Sequence, residues 1–148
     1  MSLLLIDFET TGLDTNHAKI IEVGAMRVDP LFRKENNDLN TLVYDEDYII
    51  TPEITKITGI QEDEAKANGV KPMVMFKELG NLVDEKLNYV IAFNRGFDES
   101  IFKAEVRRHD MTLDPKMNYL YNLPWLCAMA DIEENYNFKS WKQMHIAL

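Results

Sequence analysis

Two carboxylates, Asp7 and Glu9, stand two residues apart where an apolar run near the start of the chain ends. The run over residues 3–8 predicts a buried strand, and side chains two apart on a strand point to the same face. Paired carboxylates repel each other unless a proton or cation intervenes, and their hard oxygen atoms suit Mg²⁺ or Mn²⁺. Without its neighbours, however, Asp-x-Glu is better explained by a strand that ends with Glu9 in solvent.

A third carboxylate, Asp98, falls near the start of a predicted helix over residues 94–109, which follows a short predicted strand over 89–93. An acidic residue in the first turn of a helix is stabilised by the helix dipole, so Asp98 alone needs no chemical explanation. Because Asp7 and Glu9 occur in the same chain, this explanation is not the preferred one for Asp98.

Four short motifs occur in order and span most of the chain. They are Asp-Phe-Glu-Thr-Thr-Gly-Leu at 7–13, Ile-Ile-Glu-Val-Gly-Ala at 20–25, Ile-Thr-Gly-Ile at 57–60 and Asn-Arg-Gly-Phe-Asp at 94–98. In this order they resemble the motifs of the DEDD (DnaQ-like) superfamily of 3′–5′ exonucleases, and of its histidine-containing DEDDh group in particular. The first motif matches at every position, and it is the ordered set of four that makes the resemblance specific, since one motif alone would be weak evidence.

This resemblance implies a ribonuclease-H-like fold and a phosphodiester hydrolase that acts at the 3′ end of DNA and releases nucleoside monophosphates. It also implies two divalent metal ions, Mg or Mn, as cofactors that activate a water and stabilise the leaving 3′-oxygen. Asp7 would contact both ions, Glu9 one, and Asp98 would complete the cluster. The implied partners are the 3′ end of a single-stranded nucleic acid and a polymerase or another replication or repair protein.

Four further residues are candidate substrate contacts by the same resemblance, each with a structural alternative. Thr10 would contact the terminal nucleotide, or is a plain turn residue. Ile60 and Phe97 would flank the terminal base, or pack in the core. Asn94 would contact substrate, or cap the helix that follows it, and capping is the preferred interpretation.

The third catalytic motif of the DEDDh group is incomplete in this chain. That motif is a histidine base followed five residues later by the last metal-binding aspartate, and His145 is the only late histidine here. Because His145 lies in a helical pattern with Trp141 and Met144, we interpret it as a helix residue rather than the base. We therefore expect one exonuclease domain over residues 1–148 that lacks its C-terminal catalytic segment and has little activity in this form.

The elements around these residues form a meander followed by alternating helices and strands. Three strands over 3–8, 19–28 and 39–50, with a turn at 36–38, predict an antiparallel meander. A helix start is indicated by Thr51 and Pro52. The later elements are predicted as helices over 61–68, 72–87, 94–109 and 140–148, and strands over 89–93 and near Trp125. The fold class is thus α/β, a mixed five-stranded sheet with flanking helices.

Composition limits the remaining possibilities. The chain has 148 residues, of which 46% are apolar and 28% charged, and this suits one globular domain. A single cysteine, Cys127, allows no internal disulfide and is consistent with a cytoplasmic location. No apolar run approaches the roughly 20 residues of a membrane span, so no membrane partner is expected. The net charge of −9 predicts weak DNA binding away from a site where metal ions bind the phosphates.

Two alternatives to a DNA exonuclease stay open. Nothing in the sequence reads a ribose 2′-hydroxyl unambiguously, so an exoribonuclease that acts on RNA is the first. The second is a non-catalytic module of the same fold that binds nucleic acid or a partner, and the three intact acids argue against it. We interpret Arg107 and Arg108 as a solvated helix end, with a phosphate contact as the alternative, and Cys127 and Trp125 as core or near-core residues.

Overall fold

The computed structural model describes residues 1–128, apart from the side chains of Asn36 and Asn37. Its strands are β1 (Ser2–Thr10), β2 (Ile20–Val28), β3 (Lys34–Leu42), β4 (Leu87–Ala92) and β5 (Trp125–Cys127). They form one five-stranded sheet in the order β3-β2-β1-β4-β5. The first three strands pair antiparallel, whereas β1 pairs parallel with β4 and β4 with β5. The predicted mixed five-stranded sheet is confirmed.

The helices flank this sheet: α1 (Pro52–Thr58), α2 (Glu62–Asn68), α3 (Pro72–Gly80), α4 (Arg95–Arg108) and α5 (Pro115–Asn122). The predicted cap of α1 is confirmed, because the Thr51 side chain accepts a hydrogen bond from the Ile54 amide. That helix ends at Gly59, whose φ of 77° is favourable only without a Cβ. Within residues 1–128, no helix is both long and apolar enough to cross a lipid bilayer.

The core lies mainly on one face of the sheet. Alternate residues of the central strand, Leu4, Ile6 and Phe8, point into a large apolar cluster that also contains Phe76 of α3 and Phe102 of α4. The opposite face carries a smaller apolar cluster formed by Leu3, Leu5, Met26 and Val28. This alternation fixes the register of β1, since a slip of one residue would exchange its two faces. It therefore also fixes which face carries Asp7 and Glu9.

The prediction for the third strand was wrong in its position. The strand runs over Lys34–Leu42, so the residues predicted as a turn at 36–38 lie inside it, and the chain reverses earlier, around Pro30. Strand β3 tolerates a polar sequence because it is an edge strand with a partner on one side only. Residues 43–50 gave a strand-like pattern because Val43, Tyr48 and Ile50 are buried by tertiary packing outside the sheet.

Three other expectations need correction. Helix α3 ends at Gly80 rather than at residue 87, and Leu82 and Val83 are buried in the turns that follow it. Helix α5 was not predicted, although Asp114 caps it by accepting a hydrogen bond from the Met117 amide. Trp125 is buried as predicted, but Cys127 is exposed because it ends an edge strand of three residues. The helix predicted over 140–148 lies outside the described residues.

Candidate active site

The site is built where β1 extends beyond its parallel neighbour. Pairing between β1 and β4 stops at Ile6 and Ala92, whereas β1 continues to Thr10. The backbone amide of Phe8 therefore lies past the end of β4, and it donates to Asp98 Oδ1 at 3.2 Å. The Asp98 carboxylate thus accepts the hydrogen bond of an amide that has no β4 residue beside it. This contact brings Asp98 against the backbone that joins Asp7 to Glu9.

Asp98 is a buried carboxylate held by backbone amides. It is 2% exposed, and its second oxygen accepts a hydrogen bond from the amide of Asn94 at 3.3 Å. Burial raises the pKa of Asp98 to about 7, the charge of Glu9 adds to this, and the two amide hydrogen bonds oppose it. Within residues 1–128, no Lys, Arg or His side chain forms an ion pair with Asp98.

Asp7 and Glu9 are half-buried on the face of β1 opposite Phe8, as the strand alternation predicted. The antiparallel register places Gly24, which has no side chain, directly across from Asp7. Across from Glu9 lies a further acid, Glu22, whose proximity sequence analysis missed. Glu22 is part of the second motif, but only the strand register shows that its negative charge lies opposite that of Glu9.

A divalent metal ion fits the donor chemistry of this region. Asp7, Glu9 and Asp98 offer hard oxygen ligands, and a buried carboxylate without a protein cation is stabilised by an added one. As the side chains are placed, no group of three or more Asp, Glu, His or Cys residues within 1–128 is arranged to hold a metal ion. The three acids are joined through the backbone of Phe8, and a shared ion would require their side chains to turn toward each other.

The predicted substrate residues fall into two groups. Thr10 and Ile60 are buried: Thr10 Oγ1 donates to the carbonyl of Gly12 at 2.5 Å, and Ile60 packs in the main core. Phe97 is half-buried and Asn94 is exposed, next to Asp98. Asn94 occupies the N-cap position of α4, but its side chain makes no cap hydrogen bond, so the preferred capping role is wrong. His145 lies outside the described residues.

Basic groups flank the start of α4. A surface groove is lined by Arg95, Gly96, Glu99, Ser100, Lys103 and Cys127. The two cations in it both pair with Glu99, Arg95 at 3.1 Å and Lys103 at 3.0 Å. The groove therefore carries one net positive charge beside a site that is otherwise acidic.

Comparisons with known proteins agree with this arrangement. The sequence pattern of the RNase_T family, described as exonucleases, matches residues 4–147. Over 111 residues, or 75% of the chain, the sequence is 30% identical to the PolC-type DNA polymerase III of Caldanaerobacter subterraneus subsp. tengcongensis. The matched segment is 8% of that polymerase.

Among solved structures, the chain resembles Escherichia coli exonuclease I in complex with a dT13 oligonucleotide, with a TM-score of 0.75 and 20% identity. The likeness covers 91% of this chain and 29% of exonuclease I. A complex described as ExoI/SSB-Ct matches equally well and is covered to 30%. These likenesses confirm the ribonuclease-H-like fold, and the match over residues 4–147 shows that the chain belongs to the RNase_T family of exonucleases, in the DEDD superfamily.

Proposed function

We propose that this chain is the catalytic domain of a metal-dependent 3′–5′ exonuclease that hydrolyses single-stranded DNA to nucleoside monophosphates. The observation that carries the proposal is the bond from the Phe8 amide to Asp98, because it joins the third acid to the strand segment bearing Asp7 and Glu9. Family membership supports a nuclease, and exonucleases of this family generally use divalent metals.

The three acids would hold two divalent ions, Mg²⁺ or Mn²⁺. Bound ions of this kind lower the pKa of a water and stabilise charge on the leaving 3′-oxygen. The protein's own part is to orient the ligands: the amides of Phe8 and Asn94 fix the Asp98 carboxylate, and the alternation of β1 keeps Asp7 and Glu9 on one face. In this proposal, the half-buried Phe97 and the exposed Asn94, which neighbour Asp98 in sequence, would contact the terminal nucleotide.

DNA is the proposed substrate because the similar proteins act in DNA metabolism. Exonuclease I is bound to a dT13 oligonucleotide in one similar structure, and the curated relative is a DNA polymerase III. A single-stranded 3′ end is therefore the proposed ligand, and a polymerase or another replication protein the proposed partner. The groove beside α4, with Arg95 and Lys103, would follow the phosphate backbone of that strand.

The test uses the complete gene product that contains this chain. A single-stranded DNA labelled at its 5′ end, and an RNA of the same sequence, are incubated with Mn²⁺. Wild type is compared with Asp7→Asn and with a matched control, Asp63→Asn, at an exposed position on α2. We expect a ladder that shortens from the 3′ end of the DNA with wild type and the control, but not with Asp7→Asn.

The other outcomes point to the alternatives. Shortening of the RNA alone would replace the proposed substrate by RNA and keep the mechanism. Absence of cleavage with Mg²⁺ or Mn²⁺ in wild type would overturn the proposed activity in favour of a non-catalytic module of the same fold.

A further inference from the structure

One face of α4 contacts β1 and its following loop at three successive levels. At the first level, Asp98 accepts from the Phe8 amide. One turn later, the ring of Phe102 stacks on that of Phe8, with ring centroids 6.4 Å apart and planes 9° apart. At the third level stand Glu105 and Arg108, and this spacing of three and four residues keeps them on the same helix face. The third level lies outside the metal-ligand cluster.

Arg108 is bound at this third level on two sides. Its guanidinium pairs with Glu105, which is 0% exposed, and it donates to the carbonyl oxygens of Ala18 at 3.2 Å and Asn16 at 3.1 Å. Both carbonyls belong to the loop over residues 11–19, which joins β1 to β2. A planar guanidinium can satisfy a carboxylate and two carbonyls at once, whereas a lysine ammonium lacks this fork geometry.

The loop over 11–19 begins directly after Glu9 and Thr10, so it lies at the same end of the sheet as the three acids. Its ends are tied by the Thr11 amide, which donates to the Lys19 carbonyl at 2.9 Å, and by the buried Ala18. Its tip is in solvent: the Leu13 side chain is 89% exposed. An exposed leucine beside the site is available to a nucleobase only if the loop that carries it is held in place.

We propose that Arg108 is a positioning residue, which holds the loop over 11–19 against α4 and thereby sets the affinity of the site for a nucleic-acid 3′ end. The part of this inference that concerns nucleic acid rests on the proposed function. Buried Glu105 orients the guanidinium, and the two carbonyl contacts transmit that orientation to the loop. The substrate does not touch Arg108, so its loss affects the binding of substrate more than the hydrolysis step.

The neighbouring arginine provides a matched control. Arg107 is exposed and donates to the hydroxyl of Tyr121 on α5 at 2.8 Å, away from the loop. Removal of either arginine changes the net charge by the same amount, so a difference between the variants reports the position and not the charge. Arg108→Ala leaves Glu105 buried without its main partner, which can unfold the protein. The double variant Glu105→Gln with Arg108→Ala removes both charges and still deletes the loop contacts.

The experiment measures two quantities on wild type, Arg108→Ala, the double variant, Arg108→Lys and Arg107→Ala in the complete gene product. The first is hydrogen exchange of the amides of His17, Ala18 and Lys19. The second is kcat and KM for shortening of the labelled DNA. Arg108→Ala and the double variant should exchange these amides about tenfold faster and raise KM about tenfold, with kcat within about threefold of wild type. Arg108→Lys should lie between, and Arg107→Ala should match wild type.

Two results would overturn the inference. Unchanged amide protection in the folded double variant would show that Arg108 does not hold the loop. A fall in kcat at constant KM would show that it acts on the hydrolysis step instead. If wild type cleaves no nucleic acid, the proposed function fails by itself, and amide protection still decides whether Arg108 fixes the loop.

Discussion

Helix α4 carries two buried carboxylates, Asp98 near its start and Glu105 two turns later, and the groups that surround them differ. Glu105 is 0% exposed and pairs with Arg108, with His109 Nε2 3.3 Å from its second oxygen. Asp98 is 2% exposed, accepts only from backbone amides and has no cation from residues 1–128 beside it. Within residues 1–128, the charge of Glu105 is thus compensated by Arg108, whereas no side-chain cation compensates that of Asp98.

We interpret this difference as one between a structural acid, Glu105, and the acid proposed to bind a metal ion, Asp98. Burial of an unpaired carboxylate is costly, and the raised pKa of Asp98, about 7, is the direct sign of that cost. Near neutral pH, a divalent ion bound there would compete with a proton for this carboxylate. Glu105 needs no such ion. Mutation of Asp98 should therefore affect catalysis and metal binding, whereas mutation of Glu105 should affect the stability of the fold.

The largest expected effect is the loss of catalysis in Asp98→Asn. This change keeps the shape of the side chain but removes its negative charge, so hydrolysis of labelled DNA should fall by about 10³-fold, since metal stabilisation is worth several kcal/mol and 1.36 kcal/mol is tenfold. The far-ultraviolet circular dichroism spectrum should remain that of the wild type. Activity within tenfold of wild type would remove Asp98 from the site and with it the contrast to Glu105.

The next effect concerns Glu105→Ala, which leaves the guanidinium of Arg108 without its carboxylate. We expect the free energy of unfolding, measured by urea denaturation, to fall by about 3 kcal/mol, as found when one partner of a buried pair is removed. Glu99→Ala on the same helix is the control, because its ion pairs with Arg95 and Lys103 are more exposed. Equal losses in the two variants would contradict the structural role given to Glu105.

Metal binding should then distinguish the two acids directly. With Mn²⁺ at about a hundred times its Kd, the free energy of unfolding of wild type should rise by about 2.7 kcal/mol. Glu105→Gln should keep the whole of this gain, although it starts from a lower stability, whereas Asp98→Asn should lose most of it. Thermal denaturation with and without Mn²⁺ measures both. Loss of the gain in Glu105→Gln would show that the two regions are not independent.

The smallest effect is a pH dependence that belongs to the Glu105 region. Burial, followed by the charges of Arg108 and Lys19, lowers the pKa of His109, while Asp45 and Asp47 oppose this. The unfolded chain then binds a proton more readily than the folded one, so this contribution to stability is present above a pH of about 6.5 and is lost as pH falls through the folded pKa.

Urea denaturation between pH 5 and 7 measures this contribution. Wild type should lose stability toward pH 5, and His109→Gln should lose less. A slope unchanged in His109→Gln would mean that burial and the proximity of Glu105 cancel, and a steeper loss toward pH 5 in His109→Gln would mean that Glu105 outweighs burial and keeps the imidazole protonated.

The carboxylates and their strand could be predicted because local sequence determines them. The alternation around Phe8 predicted that Asp7 and Glu9 share a face, and the first two strands and α4 were predicted within a few residues. Such features depend on neighbours in the chain, whose spacing is visible in the sequence.

Features that depend on distant parts of the chain were not predictable. Arg108 was interpreted as part of a solvated helix end, as Arg107 is, because the sequence does not reveal that Glu105 and two loop carbonyls face it. The approach of Glu22 to Glu9 required the strand register. The edge position of β3, which permits its polar sequence, likewise follows only from the order of strands in the sheet.

The extension of β1 beyond β4 also determines the stage of folding at which the site can form. The amide of Phe8 and the carboxylate of Asp98 are 90 residues apart in sequence, and Arg108 is equally far from Ala18. Contacts of such long range form late in folding, after the intervening chain has closed. During synthesis the first hairpin therefore leaves the ribosome without a third acid, and the carboxylate cluster assembles only when α4 has been made and has packed.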